Sequence, residues 1–375
     1  MDASQQPLFI GSQIYRGSRY GAAHPLSIPR VPTVIDLSRA LGWLPETQYR
    51  TSPRAKPAAL NAFHTTRYLD ALQQAETDQN VSDATRDRHG LGTLSNPIFT
   101  EMFRRPATAA GGTLLAVALL EHGGVVYNPG GGTHHGQADR AAGFCYLNDP
   151  VLGLQAMRRQ GLDRVAYVDV DAHHCDGVEA ALAGQTWLRS FSIHEADRWP
   201  FTGAETDRAG GIAWNMPVPR AFNDSEFDLL LNDVILPEIA RFRPQAIMLQ
   251  CGADAVTEDP LSRLSLSNGC HRRAVAALRE MTPRLLVLGG GGYNPWSVAR
   301  AWTGVWATLS GHEIPDRLPQ EGVEVLEALT WHRKAGRPPP ALWQTTLADA
   351  PRPGPVRASV RRMAERLKSR SRAAA

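Results

Sequence analysis

Five short apolar runs recur along this 375-residue chain: Gly124-Val-Val-Tyr127, Val165-Ala-Tyr-Val168, Leu188-Arg-Ser-Phe-Ser-Ile193, Ala246-Ile-Met-Leu-Gln250 and Leu285-Leu-Val-Leu288. Each reads as a strand of a buried sheet. Between them, residues 106–121, 147–160, 225–241, 268–280 and 295–309 carry helical patterns. The alternation predicts an α/β fold, βαβ units around one central, mostly parallel sheet flanked by helices. Each strand runs into a polar or glycine-rich segment: Gly130 to His135, Asp169 to Asp176, His194, Cys251-Gly-Ala-Asp254 and Gly289-Gly-Gly-Gly-Tyr293. Ligands of open α/β sheets bind at the carboxyl ends of strands. Five such clusters can therefore converge on one crevice.

Composition narrows the class. Hydrophobic residues make up 43% and charged residues 21%, enough for a large core. The four cysteines (Cys145, Cys175, Cys251, Cys270) form no Cys-x-x-Cys pair. That argues against a disulfide framework or a thiolate zinc site and fits a reducing compartment. The first residues, Met-Asp-Ala-Ser-Gln-Gln, lack the basic and apolar regions of a signal peptide, and the longest apolar stretch, Gly111 to Leu120, is too short to span a membrane. A cytoplasmic protein without membrane contact is expected. From Arg333 onward the balance is +9, leaving −6 for the rest of the chain. This basic, Pro/Arg-rich tail is expected to be solvated rather than to bind nucleic acid. The expected division is a catalytic domain over residues 1–315 and a C-terminal extension over 316–375. Only Lys56, Lys334 and Lys368 are available against 37 arginines, so Schiff-base chemistry has little support. Codon bias of a GC-rich genome is the plain explanation of the arginine excess.

The densest chemistry lies after the second strand, in Asp169-Val-Asp-Ala-His-His-Cys-Asp176. Three carboxylates and two imidazoles in eight residues cannot sit in a core without partners. Asp171 and His173, two apart at a strand end, point to one side, and Asp254 can supply a third ligand. Two carboxylates and one imidazole leave an open coordination position, the pattern of a catalytic metal site. The set suits Zn²⁺, and its hard oxygens permit Fe²⁺ or Mn²⁺. One imidazole of His134-His135 would take a proton from the attacking water, with Asp169 and Asp176 fixing the histidine tautomers. The run Gly289 to Tyr293 lacks nucleotide-loop spacing. Its glycines would let backbone approach the site and place the Tyr293 hydroxyl against a developing oxyanion.

Together these segments resemble the histone deacetylase family of the arginase/deacetylase fold, over roughly residues 10 to 315. The motifs are Gly131-Gly-Thr-His-His-Gly136, Gly143-Phe-Cys-Tyr-Leu-Asn-Asp149, Asp169-Val-Asp-Ala-His-His174, Gly252-Ala-Asp254 and Gly289 to Tyr293. The segments Tyr20 to Arg30 and Ala299-Arg-Ala-Trp-Thr303 look closest to class I enzymes and bacterial acetoin-utilisation deacetylases. The resemblance implies zinc on Asp171, His173 and Asp254, His135 as general base paired with Asp176, His134 paired with Asp169, and Tyr293 polarising the scissile carbonyl. It implies that the Gly143 carbonyl holds the amide N–H. Phe144 and Phe201 would face each other across a tunnel rimmed by Leu261, and Arg30 would stand in an acetate-release channel. A structural K⁺ is implied near Asp169, Asp171, His173, Ser192 and Ile193.

The chain departs from that pattern in places. Cys175 stands where relatives usually have glycine, and would strain the loop if φ is positive there. The segment Glu195 to Glu205 lacks the usual Pro-Gly-Thr-Gly run, and Leu94-Ser-Asn-Pro97 offers no rim aspartate. The expected activity is zinc-dependent hydrolysis of an N-ε-acyl-lysine amide. Rival readings are hydrolysis of an acetylpolyamine or another small acylated amine, which Leu261 disfavours, and a non-catalytic regulatory protein, which the retained Tyr293 and paired histidines disfavour. The partner is thus an acylated peptide or small amine, and homo-oligomerisation stays open.

Overall fold

The computed structural model describes residues 6–18, 20–21, 23–332 and 338–373. Eight strands form one parallel sheet in the order β2-β1-β3-β8-β7-β4-β5-β6. The five expected strands are β3 (Gly124–Asn128), β4 (Val165–Asp169), β5 (Leu188–Glu195), β7 (Ala246–Gln250) and β8 (Arg284–Leu288). They occupy adjacent central positions. The sequence pattern missed β1 (Leu8–Gly11), β2 (Tyr49–Thr51) and β6 (Ala213–Val218). β2 and β6 are the two edges; β2 has three residues and β6 carries Pro217, which weakens the strand signal and suits an edge.

The connections explain where the site lies. The chain leaves β3 on one side, lays down β4, β5 and β6 outward, then returns to insert β7 and β8 between β4 and β3. The carboxyl ends of all five central strands therefore open on the place where strand order reverses, the usual crevice of such sheets.

Alternate residues of each strand enter opposite cores. On one face Tyr127, Val168, Leu249 and Val287 pack with Trp302 and Trp306; on the other lie Val126, Tyr167, Met248, Leu286 and Leu288. The helices needed below are α1 (Arg30–Ala40), α2 (Arg104–Leu119), α3 (Asp149–Arg159), α4 (Asp176–Leu182), α5 (Gly269–Arg279), α6 (Pro295–Ser310) and α7 (Ala358–Ala373). Local rules set their ends. The Asn148 side chain accepts from Val151 N at 3.0 Å to start α3. Asn294 caps α6, Pro295 takes its first position, and Gly311 ends it at φ 76°. The stretch 224–242 is helical as expected but contains a π turn, Leu231–Ile235.

The C-terminal region differs from the expected solvated tail. Residues 333–337 of it lie outside the described residues, but Trp343, Leu347, Val360, Met363, Ala364 and Leu367 join the same core cluster as the sheet. The last four recur at i, i+3, i+4, i+7, the stripe of an amphipathic helix. The extension is thus packed onto the domain. Among the described residues no helix is long and apolar enough to cross a membrane.

Candidate active site

The site is built at the ends of β3, β4, β7 and β8. Asp169 closes β4, and the turn after it brings Asp171 and His173 against Asp254, which follows β7. His173 Nδ1 lies 3.3 Å from Asp171 Oδ1 and 2.9 Å from Asp254 Oδ2. One ligand atom from each of the three residues falls within 4.8 Å of the others, and all three are buried. Burial and the facing Asp171 raise the pKa of Asp254. Burial also opposes the charge on Asp171, yet the nearby His134 and His173 and the Gly291 amide carry its pKa below the carboxylate range. Burial works against protonated His173, but its bonds to Asp171 and Asp254 outweigh this and hold its pKa up to about 10. Two buried carboxylates converging with an imidazole are a receptacle for a divalent cation, and the donor set fits zinc.

The glycine run after β8 serves this cluster. Gly291 N donates to Asp171 Oδ2 at 2.6 Å. A Cβ on Gly291 would stand 2.0 Å from Asp254 Oδ2, so any side chain would displace the ligand. The loop after β3 is held by Asp149, whose part no sequence motif signals. Asp149, at the start of α3, accepts from Gly132 N at 3.0 Å, Thr133 N at 2.8 Å and Thr113 Oγ1 at 2.6 Å. It thereby props the loop that carries His134 and His135.

Those two histidines differ in charge state although adjacent. His134 Nδ1 meets Asp169 Oδ2 at 2.7 Å, and His135 Nδ1 meets Asp176 Oδ1 at 2.6 Å. Burial lowers both pKa values. For His134, Asp169 and Asp171 overcome it and raise the value to about 9. For His135, burial and the neighbouring His134 charge prevail over Asp176 and push the value down to about 4. At neutral pH His134 is the cation and His135 the free base. Tyr167 Oη also donates to Asp169, at 2.6 Å.

Above the cluster opens a cleft of about 490 Å³ whose lining includes His135, Gly143, Phe144, His173, Leu261 and Tyr293. Tyr293 is oriented through its backbone: its N–H donates to Asp259 Oδ2 at 2.7 Å. The other oxygen of Asp259 takes the Leu261 N–H at 2.9 Å, so one carboxylate sets both walls. Burial keeps the Tyr293 phenol protonated, its pKa far above the ordinary value. Gly143 and Phe144 take successive positive φ angles of 52° and 69°. The Phe144 N–H donates to Asn96 Oδ1 at 3.0 Å, so Asn96, in the segment that lacks a rim aspartate, shapes the wall from below. The Phe144 ring meets Tyr293 edge-on at 5.6 Å.

The opposite wall departs from expectation. Trp199, not Phe201, packs on the floor, its ring 4.6 Å from His135. A Cβ on Gly143 would reach within 2.3 Å of the indole. Phe201 borders the mouth instead and is 75% exposed. The backbone course, which the sequence segment does not reveal, turns Trp199 rather than Phe201 inward.

Arg30 lies near the cluster, half-buried, donating to Gly290 O at 2.6 Å and stacked over Trp302. It borders an inner chamber of about 40 Å³ shared with Tyr20, Leu26 and His134. Ser192 lies in register with Asp169 across β4 and β5, and its Oγ contacts His194 Nδ1 at 2.9 Å. Cys175 takes φ −79°, so no positive-φ strain arises there. Its thiol is buried and its pKa is raised by that burial and by Glu179. His174 contacts Thr202 Oγ1 at 2.8 Å through Nδ1 and points Nε2 at Glu179.

Comparisons with known proteins agree with this geometry. Residues 24–309 match the histone deacetylase domain. The chain is 32% identical over 309 residues to the putative histone deacetylase 2 of Caenorhabditis elegans, covering 80% of this chain and 61% of the relative. It therefore spans about three fifths of that relative's length. With the acetoin utilization protein AcuC of Bacillus subtilis it is 29% identical, covering 90% of this chain and 89% of the relative. The crystal structure of an HDAC homolog from Aquifex aeolicus superposes with a TM-score of 0.92 at 35% identity, covering 97% of this chain and all of that one. An HDAC homolog complexed with SAHA gives 0.90 at 34%, with the same coverage. Strand order, the converging Asp-His-Asp cluster with its two His–Asp pairs, and these likenesses lead to one conclusion: the chain belongs to the histone deacetylase family.

Proposed function

We propose that this protein is a metal-dependent deacylase that hydrolyses the amide of an N-ε-acyl-lysine. The observation that carries the reading is the placement of a neutral, Asp-paired His135 and a protonated Tyr293 around the Asp171–His173–Asp254 cluster at the floor of one cleft. A zinc ion held by those three residues would supply Lewis-acid activation of the water and of the scissile carbonyl; the donor set also suits Fe²⁺.

The remaining chemistry belongs to the chain. The substrate stem enters between Phe144 and Trp199, and the Gly143 carbonyl accepts the amide N–H. His135, with Nδ1 committed to Asp176, takes a proton from water on Nε2. Its depressed pKa keeps it unprotonated and ready. Tyr293 donates its hydroxyl to the carbonyl oxygen as negative charge develops there. Cationic His134, locked by Asp169, adds positive field beside the reaction. His135 then returns its proton to the departing lysine amine. Arg30 and the inner chamber lie where a released short carboxylate would exit. We assign a K⁺ site near Asp169, Asp171, His173, Ser192 and Ile193, largely through backbone carbonyls; Asp169 and Ser192 lie side by side in the sheet.

The test is to assay purified protein on acetyl-lysine peptides, longer acyl-lysine peptides and acetylated polyamines, with and without chelator, beside elemental analysis. The expected result is chelator-sensitive turnover of an acyl-lysine peptide. Absence of any turnover by metal-loaded protein would overturn the enzyme reading; faster turnover of polyamines would overturn the lysine assignment.

A further inference from the structure

Large apolar side chains are seldom left in water together. Four stand out among the described residues; Trp199 and Phe201 border the cleft, and Leu94, 97% exposed, is next in sequence to a residue that does. Trp199 and Phe201 line the opening, and Leu94 precedes Ser95, which lines it too. Trp199 is accounted for by its packing on His135. Phe201 is not, since its ring rests on little of the fold.

Phe201 also holds an unfavourable backbone conformation, φ 62°. The surrounding loop enforces it. Phe201 N donates to Arg198 O at 2.7 Å, Thr202 Oγ1 bonds His174 at 2.8 Å, and His194 Nε2 donates to Gly203 O at 2.9 Å. Strain held in this way by its neighbours is found where function uses it. Here it turns a phenyl ring outward at the mouth.

The cleft is larger than a lysine stem needs. Its volume of about 490 Å³ falls in the range that encloses drug-sized molecules. Asp197 and Arg263 border it, and neither has an ion-pair partner among the described residues. One free acceptor and one free donor beside apolar surface suit a peptide backbone with an apolar side chain.

We propose that Phe201 and Leu94 form a subsite for a bulky apolar residue next to the acyl-lysine, so that the substrate is a peptide segment carrying such a neighbour. This rests on the deacylase reading and names its substrate class.

The experiment compares acetyl-lysine peptides with Phe, Leu, Gly or Asp on either side of the lysine. With wild-type protein, kcat/KM should be about tenfold higher for Phe or Leu than for Gly, the difference lying in KM. Phe201→Ala should bring the ratio below threefold, and Leu94→Ala should reduce it in part. Phe201→Gly, which also relieves the backbone, should lose the preference while Tm stays level or rises. A wild-type ratio within twofold, or a ratio that survives Phe201→Ala, overturns the proposal. Binding of the same peptides, fluorescently labelled, to the Tyr293→Phe variant reads the subsite without turnover. Equal affinity for the Phe and Gly peptides there overturns the subsite, whereas absence of turnover by wild-type protein with a retained affinity difference overturns only the deacylase reading. A dimer that Phe201→Asp dissociates, with no peptide preference, would assign the patch to self-association and overturn the proposal.

Discussion

Two clusters of carboxylates in this molecule behave oppositely. In the C-terminal strap, Arg357 Nε reaches Glu226 Oε1 at 2.7 Å, Arg300 pairs with Asp349 at 2.7 Å, and Asp224 takes Ser267 Oγ at 2.6 Å and Arg352 N at 3.1 Å. Every carboxylate there meets an arginine or a set of donors. The hydrogen bonds overcome the burial of Asp224 and Glu226 and hold both pKa values below normal. At the site, Asp254 faces Asp171 and its pKa goes up. Asp259, buried near Asp254, is pushed up to about 8 despite two backbone donors. The strap is complete as folded. The site instead sets carboxylates against one another in a low-dielectric place, where a bound cation would be stabilised. A satisfied network marks structure, and an unsatisfied one marks where a ligand belongs.

Substitutions can break or sharpen this contrast. The largest effect is expected from Asp171→Ala, which should abolish stoichiometric metal by elemental analysis and reduce activity to background, while Arg357→Met leaves metal content unchanged. Equal metal loss in both would erase the distinction. Next, Tyr293→Phe should keep its metal yet lower kcat by about 10²- to 10³-fold, the cost of one preorganised donor; an unaltered kcat would remove its oxyanion role. Asp176→Asn should cost about 10- to 100-fold in kcat/KM, because it releases the orientation of His135 without touching a metal ligand.

The strap should respond in stability alone. Arg357→Met leaves Glu226 buried without its partner and should cost about 2 kcal/mol, a value reduced for the partial exposure of Arg357. Thermal unfolding should show a lower Tm with kcat/KM held within twofold. The smallest and most gradual effect is that of pH. Asp224 and Glu226 have depressed folded pKa values, so their stabilisation is present above the ordinary carboxylate range, near 4, and is lost as pH falls through the folded values. Limited proteolysis should therefore cut within the extension in acid before the core opens, and Glu226→Gln should flatten that dependence.

The site was more legible than the frame around it. Asp169, Asp171, His173, Asp254, His134, His135 and Tyr293 could be picked out because charged and imidazole side chains cluster at the ends of apolar runs. That placement is too unfavourable to occur without a purpose. The edge strands were silent: β2 is three residues long, and Pro217 in β6 breaks the pattern. The extension misled because its eleven basic residues suggested solvent. In fact Val360, Met363, Ala364 and Leu367 carry it into the core, while Arg366 and Lys368 reach Glu205 and Asp233 on the surface.

What the sequence determined by itself is where the chemically able side chains cluster and which five runs are the central strands. Both follow from local composition and period. Only the tertiary structure decided three other matters. It set the pKa of His134 above and that of His135 below the ordinary imidazole value, because that depends on which carboxylates and how much water surround each ring. It gave Trp199 the inner wall and Phe201 the rim, because a positive φ at one residue sends neighbouring side chains to different sides. It assigned Asp149 and Asp259 to hold the loops of the site, because their partners are backbone amides that no side-chain pattern records.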